Sequence, residues 1–363
     1  MSTQPDRPRL LFLYMKPTSF VQDDRSLLEE HYDVRAFHFE AEKTDSVIGL
    51  ATLWGRQLRW LLRELPEADL VFGWFADHHA LLPVLLAQWF GVPTAIVLGG
   101  MDCNWLPELD YGVWDSPWRA PLARWVVKQA DLLPTVSQTL IEAEERYSNW
   151  PEPRQNGIRV HVPDLQTPHP VVPLGFRPSD WPLGPVQRDD TVATVALVNS
   201  WRTFKVKGLD LFLAAARRMP AVSFRIVGVA PAFAAALRRD EDVPDNVELE
   251  APRPREALKS VYQDTAVYAQ LSRVEAFGLV VGEAMLSGCI PVVSGVGQPP
   301  ELVGETGEVL PRPDPRDIVD ALKRALDRGD GTARRAARNR IETHFHVSQR
   351  EERLLELLAG LRR

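Results

Sequence analysis

The stretch Ser272-Arg273-Val274-Glu275-Ala276-Phe277-Gly278-Leu279-Val280-Val281-Gly282-Glu283-Ala284-Met285 decides how the rest of this chain is read. An apolar run, Ala266 to Leu271, enters it as a strand. A short loop carries Glu275, and helical character runs from about Leu279 to Ser287. Gly288 follows, where a helix end takes a residue at positive φ. A strand–loop–helix unit turns the unpaired amides of the first helical turn, beside Gly278, back towards the loop, which suits an anion. Glu275 on the loop and Glu283 one to two turns inside the helix then flank that anion at different heights. The plainer alternative makes both glutamates solvated helix charges.

Outward from this unit the chain alternates short apolar strands with helices, the pattern of βαβ units and a parallel sheet. Before it come strands at Thr191–Asn199, Ser223–Val227 and Val247–Leu249, with helices at Leu209–Arg218, Pro231–Leu237 and Arg255–Tyr262. After it come strands at Ile290–Val293 and Gly307–Leu310, then a helix begun by Asp314-Pro315. An earlier alternation has strands at Arg9–Met15, Val34–Phe39, Leu70–Phe75 and Thr94–Leu98. Its helices are expected around Ser26–Glu30 and at Val47–Leu65, His79–Phe90, Trp118–Ala130 and Thr139–Tyr147, the last capped by Ser137. Between the two alternations prolines crowd Trp150 to Pro185. Proline fixes φ and removes backbone donors, so this stretch reads as the connection. The last helix opens at Ser348-Gln349-Arg350-Glu351, a capping-box pattern. The fold class is α/β, with two Rossmann-like, doubly wound domains.

At 363 residues the chain has room for two such domains. A net charge of −7 argues against a generic nucleic-acid binder, which carries a basic footprint. Cys103 and Cys289 fit no metal-ligand spacing and read as reduced thiols of a cytoplasmic protein, Cys289 as inert packing. The polar N-terminus has no signal-peptide core, and no apolar run reaches the roughly 18–20 residues of a membrane span. Of eleven tryptophans all but Trp201 precede residue 190. Trp54, Trp60, Trp74, Trp105 and Trp114 are core residues or platforms for sugar rings or lipid. The aromatic, basic helix Val47–Leu65, with Arg119, Arg124 and Lys128 in a second helix, permits peripheral membrane contact through the N-terminal half.

Ligands of doubly wound sheets sit at the carboxyl ends of the strands, where three loops of the second half converge. The first is Ser200–Gly208, with Arg202, Lys207 and Gly208; the second carries Glu275; the third is Ser294–Glu301, with Gly297 and Gln298. Singly, the cations of the first loop are ordinary surface charges. Together the loops resemble the retaining glycosyltransferases of family 4, which have the GT-B fold. Arg202…Lys207-Gly208 matches that family's Arg-x4-Lys-Gly loop, EAFGLVVGEAM its Glu-x7-Glu element, and GQPPE its G-G-x-P-E turn. The similarity runs on through SGCIPVV and GEVLPRPDPRDIVDALKRAL, and VVPLGFRPSDW is similar to the interdomain junction. It is dense over roughly residues 170–330 and only an outline before them.

The resemblance implies an N-terminal acceptor domain over residues 1–175, joined by a returning C-terminal helix at about 346–361, and a donor domain over 182–342, facing each other across a cleft. Arg202 and Lys207 would hold the diphosphate of a UDP- or GDP-sugar, helped by Gly208 and the amides around Phe277, Gly278 and Leu279. Glu283 would take the ribose hydroxyls. Glu275 would hold the transferred hexose and stabilise its oxocarbenium-like centre, with Gly297 beside it. Cations and amides can do a metal's work, so no cofactor and no essential metal are expected. The acceptor it implies is a hydroxyl on a glycan, a lipid or a small molecule.

Three departures stand out. Lys16–Asp23, after the first strand, lacks the family's glycine-rich loop. Leu98-Gly99-Gly100-Met101-Asp102 lacks the histidine many members place there, so Asp102 is the polar candidate, with His78 and His79 from the neighbouring strand end. Gln298 replaces a glycine of the third loop. A sugar-nucleotide epimerase or hydrolase is the alternative within the same architecture, against which the Glu-x7-Glu element with Arg202 and Lys207 speaks. The missing glycine loop and histidine motivate a second, a nucleotide-sugar-binding protein without turnover.

Overall fold

The computed structural model describes residues 7–40, 46–147 and 153–362. Trp150 and Pro151, where the proline-rich stretch opens, lie outside these. The first half runs β1 (Arg9–Tyr14), α1 (Ser19–Glu29), β2 (Asp33–His38), α2 (Val47–Glu64), β3 (Leu70–Trp74), α3 (Leu81–Phe90), β4 (Thr94–Val97) and α4 (Arg119–Gln129), then β5 (Ala143–Glu145), β6 (Arg154–Asn156) and α5 (Ile158–His161). The second runs β7 (Thr191–Val198), α6 (Trp201–Val206), α7 (Leu209–Arg218), β8 (Ser223–Val229), α8 (Pro231–Asp240), β9 (Val247–Glu250) and α9 (Arg255–Asp264). It continues with β10 (Val267–Gln270), α10 (Leu279–Leu286), β11 (Ile290–Ser294), α11 (Pro299–Val303) and β12 (Glu308–Leu310), and ends in α12 (Pro315–Asp327), α13 (Gly331–His344) and α14 (Val347–Leu361).

Two parallel sheets carry the architecture, ordered β2-β1-β3-β4 and β12-β11-β10-β7-β8-β9. Their central strands are apolar on both faces: every residue of β3, β10 and β11 is buried, as parallel strands covered by helices on each side require. The second order is that of a Rossmann sheet, and its direction reverses between β7 and β10. The first reverses between β1 and β3.

The chain passes between the sheets twice, and the two crossings hold each other. The Phe176 amide donates to the Phe345 carbonyl at 2.8 Å, and the Val347 amide donates to the Phe176 carbonyl at 2.9 Å. Beyond the second crossing α14 lies on the first sheet's helical layer. Its Leu354 and Leu358 are buried in one cluster with Leu27 and Leu28 of α1. Its Arg350, 4% exposed, grips both carboxylate oxygens of Asp24 at 2.7 Å and the Val172 carbonyl at 2.7 Å.

Three local expectations are corrected. The helix expected at Thr139–Tyr147 is a single tight turn followed by β5, which pairs antiparallel with β6. Local propensity in Glu-Ala-Glu-Glu favours helix, but the pairing buries Glu145 and Asn156, and tertiary pairing outweighs propensity. Ser200–Gly208 is mostly the short helix α6, because the Ser200 hydroxyl accepts from the Thr203 amide at 3.3 Å. The capping box at Ser348 is not used: α14 starts at Val347, and the His346 ring accepts from the Ser348 amide at 3.2 Å.

Candidate active site

The switch point of the second sheet brings the α6–α7 junction against the loop after β10. Gly208 joins α6 to α7 at φ 65°, and a Cβ there would lie 1.8 Å from the Leu271 carbonyl oxygen. From the other side Gly297, at φ 64°, runs so close to Glu275 that a Cβ would lie 1.7 Å from its carbonyl oxygen. Only glycine supplies both the left-handed backbone and the missing side chain at these two crossings. The Ser294 hydroxyl adds a bond to the Ser272 carbonyl at 2.6 Å. The Glu275 loop is thus clamped on both flanks.

Inside the clamp the Lys207 ammonium lies 2.9 Å from Glu275 Oε2. The same oxygen accepts from Gln270 Nε2 at 2.8 Å and from the Ser272 hydroxyl at 3.4 Å. Behind them the Tyr268 hydroxyl donates to Gln270 Oε1 at 3.0 Å, and Gln270 Nε2 also reaches the Ser272 hydroxyl at 3.0 Å. Burial pushes the Glu275 carboxyl up, but the Lys207 charge and the hydrogen bonds of Lys207, Gln270 and Ser272 outweigh it and hold the carboxyl below its ordinary range. All these bonds fall on Oε2, so the carboxylate is anchored by one oxygen.

The other residues expected on a donor side lie around this pair. Gly278 begins α10 at φ 87°, and Leu279 opens its first turn. The Phe277 ring, 3% exposed, stacks on Phe176 at 6.0 Å and meets Phe345 edge-on, so its side chain belongs to the junction core and only its backbone faces the loop. Arg202 does not join Lys207. Its guanidinium donates to the Asp110 carbonyl at 3.0 Å, on the loop that faces α6 from the first half. Leu106 of that loop packs with Val206 and Val274 across the cleft. Glu283, 4% exposed, lies 3.1 Å from an Arg255 guanidinium nitrogen and accepts from the Tyr262 hydroxyl at 3.4 Å. Burial pushes its carboxyl up to about 7 against the pull of Arg255 and Tyr262. Arg255 also reaches Asp23 of α1 at 3.3 Å. With Phe20, Arg177 and Leu279 it lines a cavity of about 240 Å³ between the two halves.

The three residues expected to face an acceptor separate. Asp102, 1% exposed, is a loop brace and not an open polar contact: it accepts from the amides of Ala76 at 3.0 Å, Gly100 at 2.8 Å and Gly99 at 3.1 Å. His79 is equally buried. Its Nε2 lies 2.9 Å from the Trp74 carbonyl, and burial holds it near pKa 4, so the ring is neutral. His78 sits with Nδ1 2.9 Å from Asp77, whose carboxylate also holds Arg119. Burial pushes the Asp77 carboxyl up, but His78 and Arg119 draw it far below its ordinary range. Among the described residues nothing bonds His78 Nε2 or His79 Nδ1, and the latter is sealed in the core. Just before His78, Phe75 stands at φ 72°. That conformation is rare for a bulky residue and is found where structure is held for function.

Tyr268, Gln270, Tyr262, Arg255 and Asp110 were not anticipated from sequence. Gln270 alone left a signal, as a lone amide ending the apolar run Val267-Tyr268-Ala269. Gln298 is 2% exposed and turns its amide to Glu301 at 2.7 Å, away from the clamp. Trp74 is fully buried, and its indole donates to Asp24 at 3.0 Å, which settles it as core.

Comparisons with known proteins bear on the second half and on the fold of the whole. The family model described as glycosyl transferases group 1 matches residues 194–343. D-inositol 3-phosphate glycosyltransferase of Corynebacterium diphtheriae is 43% identical over 93 residues, 25% of this chain and 22% of that one. The curated relatives matched are covered over no more than 40% of their length. Among solved structures, sucrose-phosphate synthase from Thermosynechococcus elongatus superposes with TM-score 0.75 at 15% identity, over 98% of this chain and 99% of that one. Anabaena HepE in complex with UDP and glucose superposes with TM-score 0.71 at 16% identity, over 97% and 99%. The family match thus covers residues 194–343 of the second half, and the chain as a whole has the GT-B architecture of these solved structures.

Proposed function

We propose that the protein transfers a hexosyl group from a UDP- or GDP-linked sugar to a hydroxyl on a glycan, a lipid or a small molecule, as a family 4 enzyme would, with retention and without an essential metal. The observation that carries this reading is the Lys207–Glu275 pair at 2.9 Å, set at the switch point beside the first turn of α10. A diphosphate arriving there draws the Lys207 ammonium away from the carboxylate, and Arg202 leaves the Asp110 carbonyl to join it. The first-turn amides of α10 complement the negative charge. Glu275 stays ionised and anchored through Oε2 by Gln270 and Ser272, with Oε1 free for sugar hydroxyls and the developing positive centre. Glu283 takes the ribose hydroxyls when Arg255 swings off it. The glycosidic C1–O bond breaks, and the departing phosphate oxygen accepts the proton of the acceptor hydroxyl. The acceptor oxygen then bonds C1 on the face the phosphate left, releasing nucleoside diphosphate. His78 Nε2 is the candidate to orient that hydroxyl.

The test is a panel of UDP- and GDP-sugars, read by thermal shift and by nucleoside diphosphate release, with and without EDTA. One donor should stabilise the protein and release diphosphate in both conditions. No shift with any donor would sink the reading. Binding without release in the presence of extracted acceptors would favour the non-catalytic alternative. Release abolished by EDTA and restored by a divalent ion would overturn the metal-free mechanism.

A further inference from the structure

Helix α2 carries a surface that the transfer reaction does not use. Leu53, Gln57 and Leu61 face inward, and the Gln57 amide donates to the His79 carbonyl at 2.8 Å, which fixes the helix's rotation about its axis. At about 100° per residue the outward half divides into two strips. Val47, Leu58, Leu62 and Ile48 fall within one arc of about 100°, with only Ala51 and Gly55 between them. These four side chains are 86%, 38%, 50% and 80% exposed. Arg59, Arg63 and Arg56 occupy the next arc of about 60° and are all exposed. The helix has one acid, Glu64, which sits on the inward flank, 17% exposed and 3.5 Å from Arg63. In the same layer α3 turns Leu85 and Trp89 outward, 45% and 85% exposed.

An apolar strip bordered along its length by guanidinium groups suits a helix lying flat in a bilayer interface, with its aliphatic chains among the acyl chains and its cations at phosphate level. Arginine grips phosphate with two parallel donors. We infer that α2 docks this protein on an anionic lipid surface, with the helix axis along the membrane plane. The inference is independent of the glycosyl-transfer reading. Charge decides the occupant. The chain as a whole carries −7 and is repelled by such a surface, so contact must be made through a local cationic strip. A second copy of the same face offers no acid to the arginine row. Among the described residues no helix is long and apolar enough to cross a membrane, and the contact proposed is superficial.

Flotation of the full chain with phosphatidylcholine vesicles, alone or mixed with phosphatidylglycerol, tests this. The protein should float with the mixed vesicles and not with the neutral ones, and added salt should weaken the contact. Replacing Arg56, Arg59 and Arg63 by glutamine should lower the partition coefficient about fivefold per arginine and about a hundredfold together. Leu58→Ser with Leu62→Ser should lower it about tenfold or more. All five side chains are exposed, so the variants should melt with the wild type. In the wild type, mixed vesicles should slow amide exchange over residues 47–63. No binding to mixed vesicles, or binding that ignores both sets of variants, would overturn the inference. So would binding that survives the serine changes, since that is adsorption by charge alone. Lipid-free dimerisation abolished by the serine changes would assign the face to a second copy instead.

Discussion

Gln270→Met tests whether the anchoring of Glu275 matters to the reaction or only to packing. Methionine keeps the length and bulk of the 3%-exposed side chain but removes the donor to Glu275 Oε2 at 2.8 Å and the acceptor for Tyr268 at 3.0 Å. A hydrogen bond to a buried carboxylate is worth about 1.5–3 kcal/mol. Once the diphosphate has drawn Lys207 away, Gln270 and Ser272 are the donors left on that oxygen, so the loss falls where charge develops on the sugar. At about 1.4 kcal/mol per tenfold in rate, kcat should fall about ten- to hundredfold. Nucleotide affinity should not change, because Gln270 touches Glu275 and not the phosphates. The pH profile gives a second reading. Burial pushes the Glu275 carboxyl up and its donors bring it below the ordinary range, so the wild type should keep its activity well into acid. Removing a donor that favours the charged form moves the acid limb to higher pH. The assay is nucleoside diphosphate release against pH, with nucleotide thermal shift as the control. An unchanged kcat together with an unchanged acid limb would refute the reasoning.

Four further outcomes follow from the same geometry. Lys207→Ala should weaken nucleoside diphosphate binding about ten- to a hundredfold by calorimetry, as the loss of one charge-assisted bond; full affinity would remove Lys207 from the phosphate site. Gly297→Ala forces a Cβ to within 1.7 Å of the Glu275 carbonyl at φ 64° and should cost about 2 kcal/mol or more in urea unfolding. Arg350→Leu leaves Asp24 buried without its cation and should cost about 3–5 kcal/mol, read by the same method. Glu283→Gln probes the carboxyl that burial pushes up to about 7. A carboxyl whose folded pKa exceeds its unfolded value of about 4.3 binds its proton more tightly in the native state. Its contribution is therefore intact below about pH 4.3 and declines by about 3 kcal/mol as pH rises to about 7. The difference in unfolding free energy between variant and wild type should track that decline, and a flat difference would contradict it.

The parallel sheets were legible because strands buried on both faces read as unbroken apolar runs; Arg9–Met15, Leu70–Phe75 and Ile290–Val293 each lie within a residue of the strand observed. What failed depended on partners distant in sequence. Ala143–Glu145 takes its conformation from Arg154–Asn156, and nothing local in Glu-Ala-Glu-Glu announces that pairing. Helix α6 was read as a loop because six residues are too few for periodicity to show. In the site, the spacing that brought Lys207 and Glu275 into one reading also brought them into contact. Arg202 could not be placed from spacing, since its partner Asp110 sits on a loop of the other half. Asp102 looked available because Gly99 and Gly100 do not reveal, as letters, that their amides point at its carboxylate.

The paired crossings at Phe176 and at Phe345–Val347 have a mechanical consequence. Phe176 and the short link between α13 and α14, tied side by side by two reciprocal backbone bonds, form a ribbon one residue pair long. A ribbon bends easily across its width and resists being sheared along its length, because shear would break both bonds at once while bending spares them. The ribbon therefore opposes sliding of one half past the other. The register in which Val206 and Val274 meet Leu106 is held by that ribbon as well as by their own packing.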